Sequence, residues 1–476
     1  MAGLADKARA GAQGPAGKVF YPSALVGLAV VMETGRPPEG LELHPRFGGL
    51  VRRFNNSVFV PARPSALKVV RNSYNKPDSF HVEFDARMLP IAPKQIRAAA
   101  VELFLWNAPY LGAPVPQDAQ GNVLLKPLLA GLVDDVASEY GDSGHTVSLD
   151  GQDYTALFTG REWDPRRRSP SGLRLDVQLE QLVREGDPGG VTRLRVEPES
   201  LKSSLPIVGS TARRTNKKGQ PVKEKSSFWD VAYRMAQMHG FILFVEGMDV
   251  VLTKPHVLAQ ARAGLLRLPS ESTQPIRRFA WGRNLTRLEV QRHMGKEINP
   301  QIEVRSYDER TRQTYAGRYP AKGQKAATGV GTERDQVKLY QVNGITSEVQ
   351  LREIARTVYD LIARGEQTVH IGTNDLVDLH GNDLLTMRTG DAAAIDFDVY
   401  NTEALAQLSE ATRTERLRAA GFPDDVARFL SRNFDVVDTL RGPLRIRECS
   451  YDFSAESGIE IDVELQDFVA VPTEAL

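Results

Sequence analysis

Residues 459–466 read Ile-Glu-Ile-Asp-Val-Glu-Leu-Gln, an unbroken alternation of apolar and polar side chains. A half-buried β-strand puts every second residue on one side. Ile459, Ile461, Val463 and Leu465 therefore face a core, while Glu460, Asp462, Glu464 and Gln466 face away from it. The same period recurs far upstream, where Phe80, Val82 and Phe84 alternate with Ser79, His81 and Glu83. Residues 100–106 form a more buried strand. Residues 128–136 and 146–149 flank Gly141-Asp-Ser-Gly144, a hairpin signal. Asp150-Gly151 reads as the next turn, leading into a strand at 154–158. Further short apolar runs fall at 285–290, 301–305, 368–371, 384–387, 394–399 and 444–447. Short strands at this spacing predict barrel- or sandwich-like modules.

Helical periodicity interrupts the pattern. Residues 175–184 are amphipathic. Ser227 with Asp230 three residues later opens a helix with Phe228, Val231 and Met235 inward, and Gly240 closes it. A hairpin follows at 241–252, turned by Glu246-Gly247. Ser347 and Gln350 open another helix with a stripe of Leu351, Ile354, Ala355, Val358, Leu361 and Ile362, stopped by Gly365. Two helices are expected within 402–432, with Thr402 capping the first, Gly421 ending it and Pro423 in the first turn of the second.

The chain of 476 residues exceeds one ordinary core, and ~150 residues per domain gives about three. The expected fold is mainly β with α+β insertions: two β-barrel modules, a small α+β domain and a helical insertion. The divisions are an extended N-terminal arm at 1–63, a first β module at 64–160, an α+β domain at 161–280 and a second β module at 281–472. The second module carries excursions at 311–365, including a Gly/Ala/Lys-rich linker at 320–334, and the helical insertion at 402–432.

Lys+Arg and Asp+Glu both number 60. That balance argues against a dedicated nucleic-acid binder, which needs excess positive charge. The lone cysteine, Cys449, excludes an intrachain disulfide framework and a Cys-rich zinc site, and it reads as a buried thiol. No apolar stretch approaches the ~20 residues that span a bilayer, so no membrane insertion is expected. The 24–32 run lacks the basic flank of a signal peptide, and a reducing cytoplasm fits best.

No Gly-x-Ser-x-Gly, His-Glu-x-x-His or Walker A sequence occurs. Gly329-Val-Gly331 starts like a dinucleotide loop, but Arg334 occupies the sixth position. His370 and His380 flank Asp375 and Asp378 at a spacing that matches no compact metal site. Asp134, Asp135 and Glu139 are neighbours in sequence, which does not place them in one cleft. No catalytic residue, cofactor or metal ligand is assigned. Two surfaces stand out. The loop bearing Arg213, Arg214, Lys217 and Lys218 is a candidate docking loop. The acidic face Glu460, Asp462 and Glu464 is either solvated or a lumen lining that repels phosphate.

Several segments together resemble one family. Phe80-His-Val-Glu-Phe-Asp85, Gly131-Leu-Val-Asp-Asp135 and Val147-Ser-Leu-Asp-Gly-Gln-Asp-Tyr154 resemble the first barrel of phage late control gene D proteins, the baseplate hubs of tailed phages. Phe228-Trp-Asp-Val-Ala-Tyr-Arg-Met-Ala236 with His239-Gly-Phe-Ile-Leu-Phe-Val-Glu-Gly247 is similar to the family's helix-then-hairpin unit. Trp281-Gly-Arg-Asn-Leu-Thr-Arg-Leu-Glu-Val-Gln-Arg292 with Ile302-Glu-Val-Arg-Ser-Tyr-Asp308, and Tyr451-Asp-Phe-Ser-Ala-Glu-Ser-Gly-Ile-Glu-Ile461, resemble the entry and exit of the second barrel. The matches run in order over about 65–472.

The resemblance implies a non-enzymatic virion protein of the tail baseplate, assembled in the bacterial cytoplasm, with two tail-tube-like barrels per chain. A homotrimer would place six barrels in a ring that adapts the sixfold tail tube to the threefold spike. Its partners would be the tube protein, the spike, other baseplate proteins and the tape measure protein. The competing expectations are a tail-tip peptidoglycan hydrolase, or a binding module for carbohydrate or nucleic acid that uses the 209–226 loop.

Overall fold

The computed structural model describes residues 21–32, 57–72, 76–89, 91–110, 113–116, 124–141, 144–164, 172–208, 226–254, 276–280, 283–292, 301–308, 311–319, 337–343, 345–362, 367–396, 408–419, 423–432 and 444–467. The 320–334 linker and the 209–225 part of the basic loop lie outside the described residues.

Seven strands come from the first third of the chain: β1 (Tyr21–Met32), β2 (Ser57–Ala62), β3 (Ala66–Arg71), β4 (Ser79–Asp85), β5 (Ile96–Ala108), β6 (Leu129–Gly141) and β7 (Gly144–Asp153). An α+β unit follows. It contains α1 (Ala156–Thr159), β8 (Leu173–Arg174), α2 (Leu175–Gly186), β9 (Arg193–Val196), β10 (Ile207–Val208), α3 (Phe228–Met238), β11 (Ile242–Glu246) and β12 (Asp249–Thr253). After β13 (Arg277–Ala280) and β14 (Arg287–Arg292), a second small unit holds β15 (Gln301–Asp308), β16 (Gln313–Tyr319), β17 (Val337–Asn343) and α4 (Glu348–Ile362). The chain then forms β18 (Gln367–Thr373), β19 (Ala392–Asp396), a helical pair α5 (Glu410–Ala419) and α6 (Asp424–Arg432), and the closing hairpin β20 (Leu444–Ser454) and β21 (Gly458–Asp467).

Thirteen strands form one sheet in the order β14-β18-β21-β20-β3-β4-β7-β6-β5-β1-β2, with β13 and β19 attached beside β20. The strands of both expected β modules are therefore hydrogen-bonded into a single sheet, and they share one apolar core. Val26, Leu28, Leu67, Val69, Phe80, Val82, Val101 and Leu149 meet Val369, Ile371, Ile446, Tyr451, Ile461 and Val463 in it. The predicted inward face of β21 is the observed one, with Ile459, Ile461, Val463 and Leu465 all buried.

Two bulges keep the core continuous where simple alternation would break it. In β20 the register shifts between Ile446 and Glu448, so Leu444 and Ile446 before the bulge, and Cys449, Tyr451 and Phe453 after it, all point inward. In β6 the shift lies between Val133 and Asp135, and both Val133 and Val136 pack on the core.

The N-terminal segment differs from its expectation. Tyr21–Met32 is a strand between β5 and β2, with Val26, Leu28, Ala29 and Val30 essentially inaccessible. A strand covered on both faces loses polar alternation, which is why the apolar 24–30 run reads poorly from sequence. Its second face, with Ala29, Ala100 and Ala130, is covered by the α+β unit, where Tyr154, Phe158, Leu175, Leu179, Met235 and Leu243 pack. The small side chains allow close approach of that layer.

Helices α2 and α3 lie where periodicity puts them. The predicted capping box is formed: the Asp230 amide donates to Ser227 Oγ at 3.0 Å and the Ser227 amide donates to Asp230 Oδ2 at 3.0 Å. Gly240 ends α3 at φ 78°. Residues 154–158 and 384–387 are not strands. Ala156–Thr159 is a helical turn, and Leu384–Thr386 a 3-10 turn capped by Asp383. In both places a short apolar run is too brief for its period to be told. Residues 301–308 do not join the main sheet. They form the centre of a β16-β15-β17 sheet under α4, whose Leu351, Ile354, Ala355 and Tyr359 fill that small core with Ile302 and Val304. Ser409, whose Oγ accepts from the Thr412 amide at 3.3 Å, opens α5; Thr402 lies outside the described residues. Pro423 precedes α6 and its carbonyl accepts from the Ala427 amide at 2.8 Å.

Asp150-Gly151, expected as a turn, lies inside β7. Gly151 is there for space. A Cβ at this position would sit 2.1 Å from the Leu132 carbonyl oxygen and 2.5 Å from Phe80 Cζ. Gly151→Ala should thus destabilise the chain by about 1–3 kcal/mol through overpacking, seen as a lower urea midpoint for loss of strand circular dichroism.

Candidate functional site

The sheet is joined across its middle by β3 and β20, paired from Ala66↔Ser454 to Arg71↔Cys449. At the end of this seam the core is capped by charge. In β3, Leu67, Val69 and Arg71 share the inward parity; ahead of β4, Asp78 shares it with Phe80; in β7, Asp153 shares it with Val147 and Leu149.

The Arg71 guanidinium ties the two strand sets together. It donates to the Leu128 carbonyl on the first-module side and to the Leu385 (3.3 Å) and Met387 carbonyls on the other. It also lies 5.7 Å from the centre of the Tyr451 ring, whose hydroxyl donates to the Leu384 carbonyl at 2.9 Å. Thr389 Oγ1 bridges the Asn72 carbonyl (2.8 Å) and the Arg447 carbonyl at the β20 bulge (3.2 Å). Arg388 reaches the α+β unit, with Nη1 2.8 Å from Glu246 Oε2, and Arg195 meets the same carboxylate at 2.5 Å. One junction therefore holds both strand sets and the α+β unit.

Asp78 and Asp153 sit beside it. The Asp78 amide donates to Asp153 Oδ2 at 3.1 Å, the Asp153 amide donates to the Asp78 carbonyl at 3.0 Å, and the Asn72 amide donates to Asp78 Oδ1 at 2.9 Å. Burial raises both carboxyls, that of Asp153 to about 6, and the proximity of Asp153 raises Asp78 further against the pull of Arg71. Cys449 is buried at the seam, and desolvation pushes its thiol far above the usual range.

On the opposite face of the sheet, six strands align a charged row: Glu460, Asp452, Lys68, His81, Asp150 and Asp135. His81 Nδ1 lies 2.7 Å from Asp150 Oδ1 and Nε2 lies 3.1 Å from Glu83 Oε1. Although partial burial opposes the charge, the two carboxylates outweigh it and raise the imidazole.

The acidic face of β21 is on this same side, but it is not bare. Asp462 Oδ1 receives Arg287 Nη2 at 2.8 Å and Glu464 Oε1 receives Arg447 Nη1 at 3.1 Å, while Glu460 is exposed. Arg213, Arg214, Lys217 and Lys218 lie outside the described residues. Asp378 organises a turn: Oδ1 accepts from the His380 and Asn382 amides and Oδ2 from the Arg278 amide and Asn382 Nδ2, all within 2.8–3.0 Å. Among the described residues no cluster of three His, Cys, Asp or Glu side chains suits a metal ion. Asp134 is the extra residue of the β6 bulge, on an exposed strand with Asp135 and Glu139.

The seam was missed from sequence, although its signal is present. Arg71, Asp78 and Asp153 are charged residues at parity positions otherwise held by core side chains, which marks the end of a core.

No protein-family model and no curated protein matches the chain. Among solved structures, the tail protein from Neisseria meningitidis MC58 superposes with a TM-score of 0.54, covering 94% of this chain and 96% of that one at 11% identity. The chain has the fold of that tail protein. The prophage MuSo2 43 kDa tail protein from Shewanella oneidensis gives 0.49 over 86% and 95% at 11% identity. An E. coli component of the type VI secretion system gives 0.41 over 86% and 74% at 9% identity. The mainly β, tail-protein fold implied by the ordered motif series is thus the fold observed.

Two outcomes follow for the seam. Arg71→Gln should lower stability by about 1.5–3 kcal/mol for each charge-assisted hydrogen bond lost, measured as a fall in the denaturant midpoint. For Asp153, a raised folded pKa means the folded state holds its proton more tightly than the unfolded chain. Its contribution is therefore fully present below pH ~4 and lost as pH rises through about 6. Relative to Asp153→Asn, the wild-type chain should lose on the order of 2 kcal/mol between pH 4 and pH 7, read from paired melting curves.

Proposed function

We propose that this chain is a structural hub of a phage-tail-like baseplate, a trimer that joins a sixfold tube to a threefold spike without catalysis. The observation that carries this is the end-to-end correspondence with the Neisseria tail protein, which leaves no large part of either chain unmatched. In such a hub the tube, spike and further baseplate proteins are the partners, with the virion tail as its location and no membrane insertion of its own. The face bearing Glu460, Asp462 and Glu464 would line the passage. Because Arg287 and Arg447 offset two of those carboxylates, and Lys68 lies 3.7 Å from the neighbouring Asp452, Glu460 supplies its exposed acidity. Arg213, Arg214, Lys217 and Lys218 would dock an acidic neighbour.

The seam suits a mechanical part. A protein that transmits load between rings needs its strand sets locked together; Arg71 and Thr389 tie them through part-buried hydrogen bonds, those of Arg71 charge-assisted, and Arg388 ties in the α+β unit.

Light scattering and averaged particle images of the purified chain, alone and with tube and spike proteins, test the reading. The expected result is a threefold particle that binds both, with spike or tube binding weakened when Arg213, Arg214, Lys217 and Lys218 are changed to Ala. A strict monomer indifferent to both proteins would overturn it.

A further inference from the structure

The main sheet has two open margins whose geometry is complementary. One is β14, which pairs through Arg287–Arg292 with β18 and, among the described residues, with no other strand. The other is the outer half of β6. Residues 129–132 pair with β5, but from Val133 to Gly141 the strand pairs, among the described residues, with β7 alone. The pairing with β5 stops just before the bulge at Val133/Asp135, and Asp134, Asp135 and Ala137–Gly141 are exposed. The hairpin tip is braced by Tyr140 stacked on His145, with centroids 4.0 Å apart.

Exposed edges are ordinarily protected by shortness, proline, charge or a bulge; this margin carries the bulge at Val133/Asp135 and the carboxylates of Asp134, Asp135 and Glu139, which exclude an acidic neighbour but admit a basic one. Residues 133–141 contain neither proline nor lysine. Such an edge is a template for strand addition.

Three observations identify the occupant. From β14 to β6 the sheet runs through eight strands, β14-β18-β21-β20-β3-β4-β7-β6, and every junction is antiparallel. An even number of alternating strands leaves the two margins pointing in opposite directions. A head-to-tail rotation of copies therefore brings β14 against β6 antiparallel, the favoured geometry for adding a strand. The apolar faces also match, since Leu288 and Val290 of β14 and Val133 and Val136 of β6 all pack toward the core side. Finally, the outward face of the β6 margin carries Asp135 and Glu139, whereas β14 presents Arg287, half exposed while holding Asp462, beside Glu289, which accepts from Gln291 Nε2 at 2.7 Å.

We propose that the open edge of β6 in one copy pairs antiparallel with β14 of a second copy, making the sheet continuous from chain to chain. In the register that satisfies both faces, Val290 lies opposite Val136, Arg287 opposite Glu139 and Glu289 opposite Ala137. Contacts of this heterologous kind close into a ring when the rotation per copy divides a full turn. The inference rests on the hub reading for its cyclic geometry and adds the strands and residues of the joint.

The test uses Ala137→Cys and Glu289→Cys, both at exposed positions in a chain whose native thiol is buried. Directly opposed residues place their Cβ atoms within reach of a disulfide. An oxidised mixture of the two single variants should yield a covalent dimer at least about tenfold above either variant alone, and the double variant a ladder of higher species. A mixture of Ala137→Cys with Leu339→Cys, on the separate β17 sheet, should give no such dimer. In a second arm, Glu139→Arg should weaken self-association in sedimentation, and adding Arg287→Glu should recover it. An oligomer of the wild-type mass in which 137 and 289 never cross-link, and which ignores Glu139→Arg, overturns the joint but leaves the hub reading standing. A wild-type monomer overturns the joint, and failure to bind tube and spike proteins separately overturns the hub.

Discussion

The pairing of β3 with β20 is the contact on which the rest of this molecule depends. It joins residues near 70 to residues near 450 through six consecutive register pairs. Remove it and the thirteen-stranded sheet separates into a β1–β7 part and a C-terminal part, each with half a core exposed. The β20–β21 hairpin follows every other strand of the sheet in sequence, so the shared core cannot be completed until that hairpin has been made. Contacts of such sequence separation carry a large loop-closure cost, and concentrated polar links at the seam are a fitting response. Arg71 spans both sides at once, and Thr389 binds the backbone of each.

The seam also explains why charged groups sit at core-facing positions. An apolar sheet interior has to end somewhere, and here it ends in Arg71, Asp78 and Asp153 instead of in solvent. Their mutual placement costs ionisation, as the raised carboxyls show, but it satisfies backbone amides of Asn72, Asp78 and Thr155 that would otherwise lack acceptors. The carboxylates are occupied with structure. Two further buried carboxylates behave alike: Asp378 folds a turn, and Glu303 is buried beneath Arg305 and Arg318 on the small β16-β15-β17 sheet. Helix α4, which packs on that sheet, meets the α+β unit through Lys254–Glu353 at 3.0 Å and through Thr357 Oγ1, which donates to the Gly240 carbonyl at 2.6 Å.

Bulges keep the interior of the sheet apolar where the alternation of its strands changes phase. Each inserts one residue, Asp134 in β6 and Arg447 in β20. In β20 the insertion turns Cys449, Tyr451 and Phe453 back to the core after Ile446. In β6 it keeps Val136 inward, just past the point where pairing with β5 stops.

The sequence alone determined the elements whose signal is local. The alternation of 459–466, the Ser227/Asp230 capping box, the Gly141–Gly144 hairpin and the Leu351, Ile354, Ala355 and Val358 part of the α4 stripe all depend on residues within one or two turns of each other, and the structure has each of them. The ordered run of motifs was enough to point to a tail-protein fold. Only the tertiary structure decided what those elements joined. It put Tyr21–Met32 inside the sheet, because a strand covered on both faces carries no polar alternation. It moved 301–308 out of the sheet, because strand character does not say which sheet a strand enters. It brought Arg71 to Leu385 and Cys449, more than three hundred residues away. Periodicity records which side of a strand is buried; the partner that buries it is set by packing across the whole chain.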